Sequence, residues 1–150
     1  MFFMTRLLGR TLKNFSLFSS LDTSQLQTIA SFFTREIYEA NSYVININDN
    51  IDRLYFVESG SIQIYATSKS DVGQSLFNIY AGDIYPLQEL FGSSPFKTIA
   101  KAIEPTTVLT ISMKDFESIM QHYPSLNMHI ISMMQREINA YKNLIFQKVL

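Results

Sequence analysis

The 150-residue chain contains no cysteine. Disulfides, thiolate zinc sites, iron–sulfur clusters and cysteine nucleophiles are therefore excluded, whichever compartment the protein occupies. Histidine is almost as scarce, with only His122 and His129. The β-rich stretch from Arg35 to Ile111 has none, so a cupin-like metal centre, which needs several imidazoles and a carboxylate inside a barrel, lacks its ligands. Both histidines read as structural or solvated, and no metal ligand or cofactor is expected. No apolar run approaches the roughly 18–20 residues that cross a bilayer. The segment Met1–Arg10 carries its charges inside its apolar stretch and has no small-residue cleavage site, so it is a poor signal peptide. The expected location is the cytoplasm, away from the membrane.

Serine nucleophile elbows, P-loops and Rossmann glycine fingerprints are also missing. The scattered carboxylates Glu39, Glu58, Asp83 and Glu89 read as turn or surface groups, so no catalytic residue is nominated and the protein is expected not to be an enzyme. A net charge of −1 gives no general attraction for nucleic acid or anionic lipid. Glycine and proline are few, five and four residues, in a chain that is 47% hydrophobic and 17% charged, which marks a folded domain of ordinary size.

What is present begins with Leu21-Asp22-Thr23-Ser24-Gln25-Leu26. Asp22 and Gln25 have capping-box spacing, and Leu21 can staple onto Leu26. Leu26, Ile29, Ala30 and Phe33 then share one helical face. From Arg35 to Ile111 the pattern changes to short runs of Ile, Val, Tyr and Phe between turn residues. Tyr43, Ile45 and Ile47 alternate; Leu54–Val57 leads to Ser59-Gly60; Ala81-Gly82-Asp83 is another turn. A polar tip from Ala66 to Gln74 reads as an exposed, mobile loop. This spacing predicts a mainly β body of the double-stranded β-helix or jelly-roll kind with flanking helices.

Helix returns at the C-terminal end. Ser112-Met113-Lys114-Asp115 suits a cap ahead of Phe116, Ile119 and Met120. Pro124 suits the first turn of a second helix, which runs without Gly or Pro to Leu150, roughly 40 Å at about 1.5 Å per residue. Ile131, Met134, Ile138, Tyr141 and Ile145 follow the 3-4 spacing of a coiled-coil seam. Leu126, Ile130, Met133, Ala140 and Leu144 form a neighbouring stripe, interrupted by Glu137. One wide face packed on the β body would explain both stripes. A helix this long overhangs a small barrel, however, which favours self-association into a homodimer.

The order of these elements carries a resemblance. Leu17–Leu21 with its capped helix, Leu54–Ile62, Ala81–Ile84, Ala102–Ser112 and Asp115-Phe116 resemble the sensor domain of the catabolite activator and fumarate–nitrate regulator family of transcription factors. The resemblance implies a cyclic-nucleotide-binding-like β-roll over 1–123 and a long dimerisation helix over 124–150. It also implies a regulatory function in which DNA is met only through a helix-turn-helix domain absent from this chain. The alternative is a stand-alone regulatory module acting on a partner protein.

Departures from the family pattern concern the ligand. Its nucleotide binders follow the Gly-Asp turn with a Gly-Glu pair that serves phosphate and ribose; here Pro86 and Leu87 stand there, with Glu89 two residues on. Proline lacks the backbone donor and leucine accepts no hydrogen bond. The family's phosphate-pairing arginine aligns with Phe96, and Lys97, one step later in a strand, points to the opposite face. Tyr141 falls where the family's helix touches the base, although a place as an aromatic knob in the dimer seam is the favoured explanation. The expected effector pocket is thus Tyr85, Leu87, Leu90, Phe91, Phe96, Lys97, Thr98 and Tyr141. It is suited to a non-nucleotide effector of unknown chemistry, or filled by its own side chains.

Overall fold

The computed structural model describes residues 2–68, 71–91 and 97–149. The N-terminal stretch, which has no cap or clear sequence signal, is helix α1 (Phe2–Leu12). Its Leu12 is fully buried and its Leu8 packs on the same core. Helix α2 (Thr23–Ala30) follows behind the predicted capping box. The Gln25 N–H donates to Asp22 Oδ1 at 2.8 Å, and the Asp22 N–H donates to Gln25 Oε1 at 2.9 Å. Two of the orphan donors at the helix start are thereby satisfied.

Eight strands follow: β1 (Thr34–Tyr38), β2 (Tyr43–Ile45), β3 (Arg53–Ser59), β4 (Ser61–Ser68), β5 (Asp71–Tyr80), β6 (Ile84–Tyr85), β7 (Thr98–Ala102) and β8 (Thr106–Ser112). They form two four-stranded antiparallel sheets, ordered β1-β8-β3-β6 and β2-β7-β4-β5. This is the predicted β-roll. Apart from the β4–β5 hairpin, successive strands alternate between sheets, so the interior forms from residues far apart in sequence. The tight β3–β4 corner depends on Gly60 at φ +92°, where an added Cβ would lie 2.5 Å from the Pro105 carbonyl oxygen. No other residue fits that corner without a shift of backbone.

Strand β3 explains why this region reads as a continuous apolar run. Leu54 and Phe56 face the helices, whereas Tyr55 and Val57 face the second sheet. β8 is split the same way, with Leu109 and Ile111 toward the helices and Val108 toward the roll interior. Two cores result: an aromatic-rich one under the helices, and an aliphatic one between the sheets.

Three local expectations need correction. Tyr43 and Ile45 do not share a face: the ladder shifts register between them, leaving Tyr43 exposed while Val44 and Ile45 are both buried. A bulge turns two consecutive residues inward, and simple alternation does not foresee it. The polar tip is mostly ladder and not loop, because β4 continues to Ser68 and β5 resumes at Asp71, with Thr67 opposite Val72. Backbone pairing extends a hairpin whatever the polarity of its side chains, and Thr tolerates the pleat well. Finally, the last helix begins after a turn at Pro124–Ser125 and not at Pro124 itself.

Helix α3 (Met113–His122) starts at Ser112, whose Oγ accepts from the Asp115 N–H at 3.0 Å. Helix α4 (Leu126–Val149) anchors through fully buried Leu126 and Ile130, with Met133 and Met134 half-buried beyond them.

Candidate effector site

The turn at Ala81–Asp83 sets up the site. Gly82 adopts φ +97°, its N–H donates to the Val57 carbonyl at 2.9 Å, and Asp83 Oδ2 accepts from the Tyr80 N–H at 2.8 Å. Asp83 is therefore a turn-closing group, as its sequence context suggested. The chain passes into β6 and a cis peptide between Tyr85 and Pro86, then a 3-10 turn over Leu87–Phe91. α4 crosses this segment. Between β5, the 83–87 segment and α4 lies a cleft of about 190 Å³. Phe77, Ile79, Tyr85 and Leu87 line one wall; Met133, Arg136, Glu137 and Ala140 line the other.

Of the residues expected in the pocket, Tyr85 and Leu87 line this cleft. The Tyr85 ring is 2% exposed, meets Phe77 edge-on at 6.1 Å, and shares a hydrogen bond between its hydroxyl and Thr98 Oγ1. Tyr85 thus fills roll interior, and Thr98 is buried behind it. Leu87, also 2% exposed, belongs to the core under the helices. Leu90 instead borders a different cleft with Glu117, Met120 and Asn127. Lys97 is exposed, and its carbonyl accepts from the Thr67 N–H at 3.1 Å. Phe96 and the side chains of Phe91 and Tyr141 lie outside the described residues.

Sequence reasoning passed over the most unusual group in the cleft, Glu137, which it saw only as a break in an apolar stripe. That break was itself the signal. Glu137 Oε1 is sealed from solvent and has no hydrogen-bond partner among the described residues. Burial pushes its carboxyl up to about 7, because a low-dielectric wall disfavours the ionised form. The unfolded chain would release this proton near the ordinary glutamate value, about 4.3. Between those values the fold binds more protons than the unfolded chain. The stability contributed by the neutral acid is therefore fully present below about pH 4 and lost as pH rises through about 7. Glu137→Gln should melt higher than the parent at pH 8, by roughly 3–6 °C. The gap should close as pH falls through 7 to 4, which thermal melts across that range will read.

Elsewhere two carboxylates, the sequence-noted Glu58 and also Glu36, are held in ion pairs. Glu58 receives both Nε and Nη2 of Arg35, at 2.9 and 3.0 Å. Glu36 takes Nη1 of Arg53 at 2.8 Å. Among the described residues no group of three His, Asp or Glu side chains is placed to hold a metal ion. Among the described residues no helix is long and apolar enough to cross a membrane.

A β-roll bounded by a capped N-terminal helix, with a cleft at its Gly-Asp turn closed by a long final helix, has a family. The chain belongs to the cyclic nucleotide-binding domain family, whose model matches residues 35–123. Its fold is that of the sensor domain of the transcriptional regulator DNR from Pseudomonas aeruginosa, with a TM-score of 0.74 at 18% identity over 93% of this chain and 94% of that one. The cyclic AMP receptor protein of Thermus thermophilus is 20% identical over 127 residues, 85% of this chain and 59% of that protein. The neuropathy target esterase sws of Drosophila melanogaster is 29% identical over 99 residues, 61% of this chain. The match spans only 7% of that esterase's length. The likeness to catabolite-activator-type sensor domains, first visible in the ordered motifs, therefore holds in fold, within the cyclic nucleotide-binding domain family.

Proposed function

We propose that this domain is an effector-sensing and dimerisation module of a catabolite-activator-type transcriptional regulator, not an enzyme and not responsive to cyclic nucleotides. One observation carries the reading: the two sides of α4 have different surroundings. Met133, Glu137 and Ala140 line the cleft. Ile131 and Ile138, one heptad apart, stand 53% and 49% exposed. A helix that touches an effector on one side and a second copy on the other can convert occupancy into a change of dimer geometry. Met134, placed in the same seam by its spacing, is half-buried against the chain's own core, so the seam would rest chiefly on Ile131 and Ile138. The side chains of Tyr141 and Ile145 fall outside the described residues. DNA would be engaged by a helix-turn-helix domain beyond this sensor.

A seam of about two heptads is marginal alone and needs the β-roll to support it. Ile138→Asp would place a carboxylate at its centre and should weaken association at least tenfold, giving monomers by light scattering where the parent is dimeric. A parent that is monomeric at high micromolar concentration would overturn the homodimer. That outcome would favour a second reading, in which the exposed stripe of α4 docks on a partner or on another part of a longer protein. The match inside the much longer esterase chain supports keeping this reading in view.

A further inference from the structure

The cleft is apolar over most of its wall, through Phe77, Ile79, Ile84, Leu87, Met133 and Ala140. Into that wall is set Glu137, with one carboxylate oxygen sealed and without a partner among the described residues. A buried acceptor without a donor is a standing cost to the fold, and it is recovered by whatever brings a donor. Other charged groups also border the cleft. Asp83 lines it from the turn before β6, and Arg136 lines it from α4, where it is exposed. Asp83 is exposed as well, with its Oδ2 taken by the Tyr80 N–H, so these two solvated charges offset each other and the buried Glu137 decides which donor is received. We propose that this cleft selects a small ligand carrying a protonated amine on an apolar frame, with the ammonium received by Glu137.

The inference rests on the effector-site reading above and names the chemistry of its ligand. The cleft volume of about 190 Å³ lies below the roughly 300–1,000 Å³ of drug-sized sites. It is on the order of six waters' share of liquid volume. A single ring with a short side chain is the appropriate scale. Rotation about the last torsion of Glu137, which is broad and weakly restrained, would present Oε1 to the ligand. An ammonium at hydrogen-bonding distance favours the ionised carboxylate, opposing the burial that raises its affinity for a proton. Uptake at pH 7 therefore releases part of a proton, and affinity rises with pH through that region.

Benzylamine, benzyl alcohol and benzoate share shape and differ in charge. Each is titrated into the 150-residue protein and followed by amide chemical shifts at pH 7.5. Benzylamine should perturb β5, β6 and the 133–140 stretch of α4, with at least tenfold tighter binding than the alcohol and no saturation by benzoate. At pH 6 the benzylamine affinity should fall several-fold. Glu137→Gln should bring benzylamine to the alcohol's level without moving the alcohol, whereas Glu137→Asp should keep the preference for charge. Equal binding of amine and alcohol would overturn the proposal, as would amine binding unchanged in Glu137→Gln or no perturbation at tens of millimolar. Light scattering on the same samples separates the two readings. Selective amine uptake with no change in association overturns the effector coupling alone. A coupled response to amine and alcohol alike overturns the amine selectivity alone.

Discussion

Phe56→Ala should cost about 5 kcal/mol, the upper end for an aromatic truncated in a core. Phe56 is fully buried on β3 and contacts four other phenylalanine rings. It stacks on Phe18 at 5.8 Å with an interplanar angle of 2°, and meets Phe15 and Phe33 edge-on at 5.2 and 5.0 Å. Phe116 of α3 completes the group at 6.1 Å. Each such pair is worth roughly 0.5–1.5 kcal/mol beyond area burial. These rings come from the 3-10 turn at Ser16–Phe18 and the residue before it, the turn after α2, β3 and α3, so the cavity cannot close by moving one element. Against a typical total stability of about 5–15 kcal/mol, the variant should be largely unfolded or close to it. Urea unfolding followed by circular dichroism will read this. Phe56→Leu, which keeps most of the volume, should lose no more than about 2 kcal/mol. An alanine variant within 1 kcal/mol of the parent would show that this cluster does not hold the helices to the sheet.

Much of that architecture is legible in the residues. The Asp22–Gln25 box, the Ser112 cap and the glycine at position 60 each demand one local geometry, and the structure supplies it. Leu54–Val57 reads as a strand without alternation because both of its faces are covered. What sequence does not reveal is pairing. The bulge in β2 and the extension of the β4–β5 ladder depend on neighbours distant in the chain. Helix α1 likewise packs on α2, a neighbour that its own residues do not announce, so its apolar stretch reads in sequence as a poor leader.

The site is legible by halves for the same reason. The Gly-Asp turn and the residues after it locate one wall of the cleft, and Tyr85 and Leu87 line it as their positions suggest. The opposite wall lies about 50 residues on, and helical periodicity marks which side of α4 is apolar without saying what it faces. Leu90 is near Leu87 in sequence, yet the 3-10 turn rotates it toward α3 and the start of α4. Glu137 is the clearest case. A polar residue in an apolar stripe is a blemish in one dimension and a buried cleft-lining carboxyl once α4 lies against β5 and β6.

Neither cyclic AMP nor cyclic GMP should bind with a dissociation constant below about a millimolar, despite the family to which the domain belongs. Nucleotide binders of this family use a Gly-Glu pair after the Gly-Asp turn, and here the same place holds Pro86 and Leu87. Leu87 is not an idle substitution, because it is packed into the core beneath the helices and leaves no room for a carboxylate at its position. Proline supplies no N–H to a phosphate. The arginine that would pair with that phosphate is replaced in the sequence by Phe96, and the adjacent Lys97 side chain stands in solvent. Each charged hydrogen bond so lost is worth roughly 1.5–3 kcal/mol, and two of them weaken binding by at least two orders of magnitude. The remaining charges make the deficit larger. A phosphate entering the cleft would meet the buried Glu137, while among the described lining residues the exposed Asp83 and Arg136 offset each other. The Tyr85 ring, tied to Thr98, already occupies roll interior. Calorimetry with both nucleotides at millimolar concentration should therefore give no saturable heat at pH 7.5. A micromolar dissociation constant for either would mean that residues 86–97 reach the ligand in another register, with Lys97 turned inward.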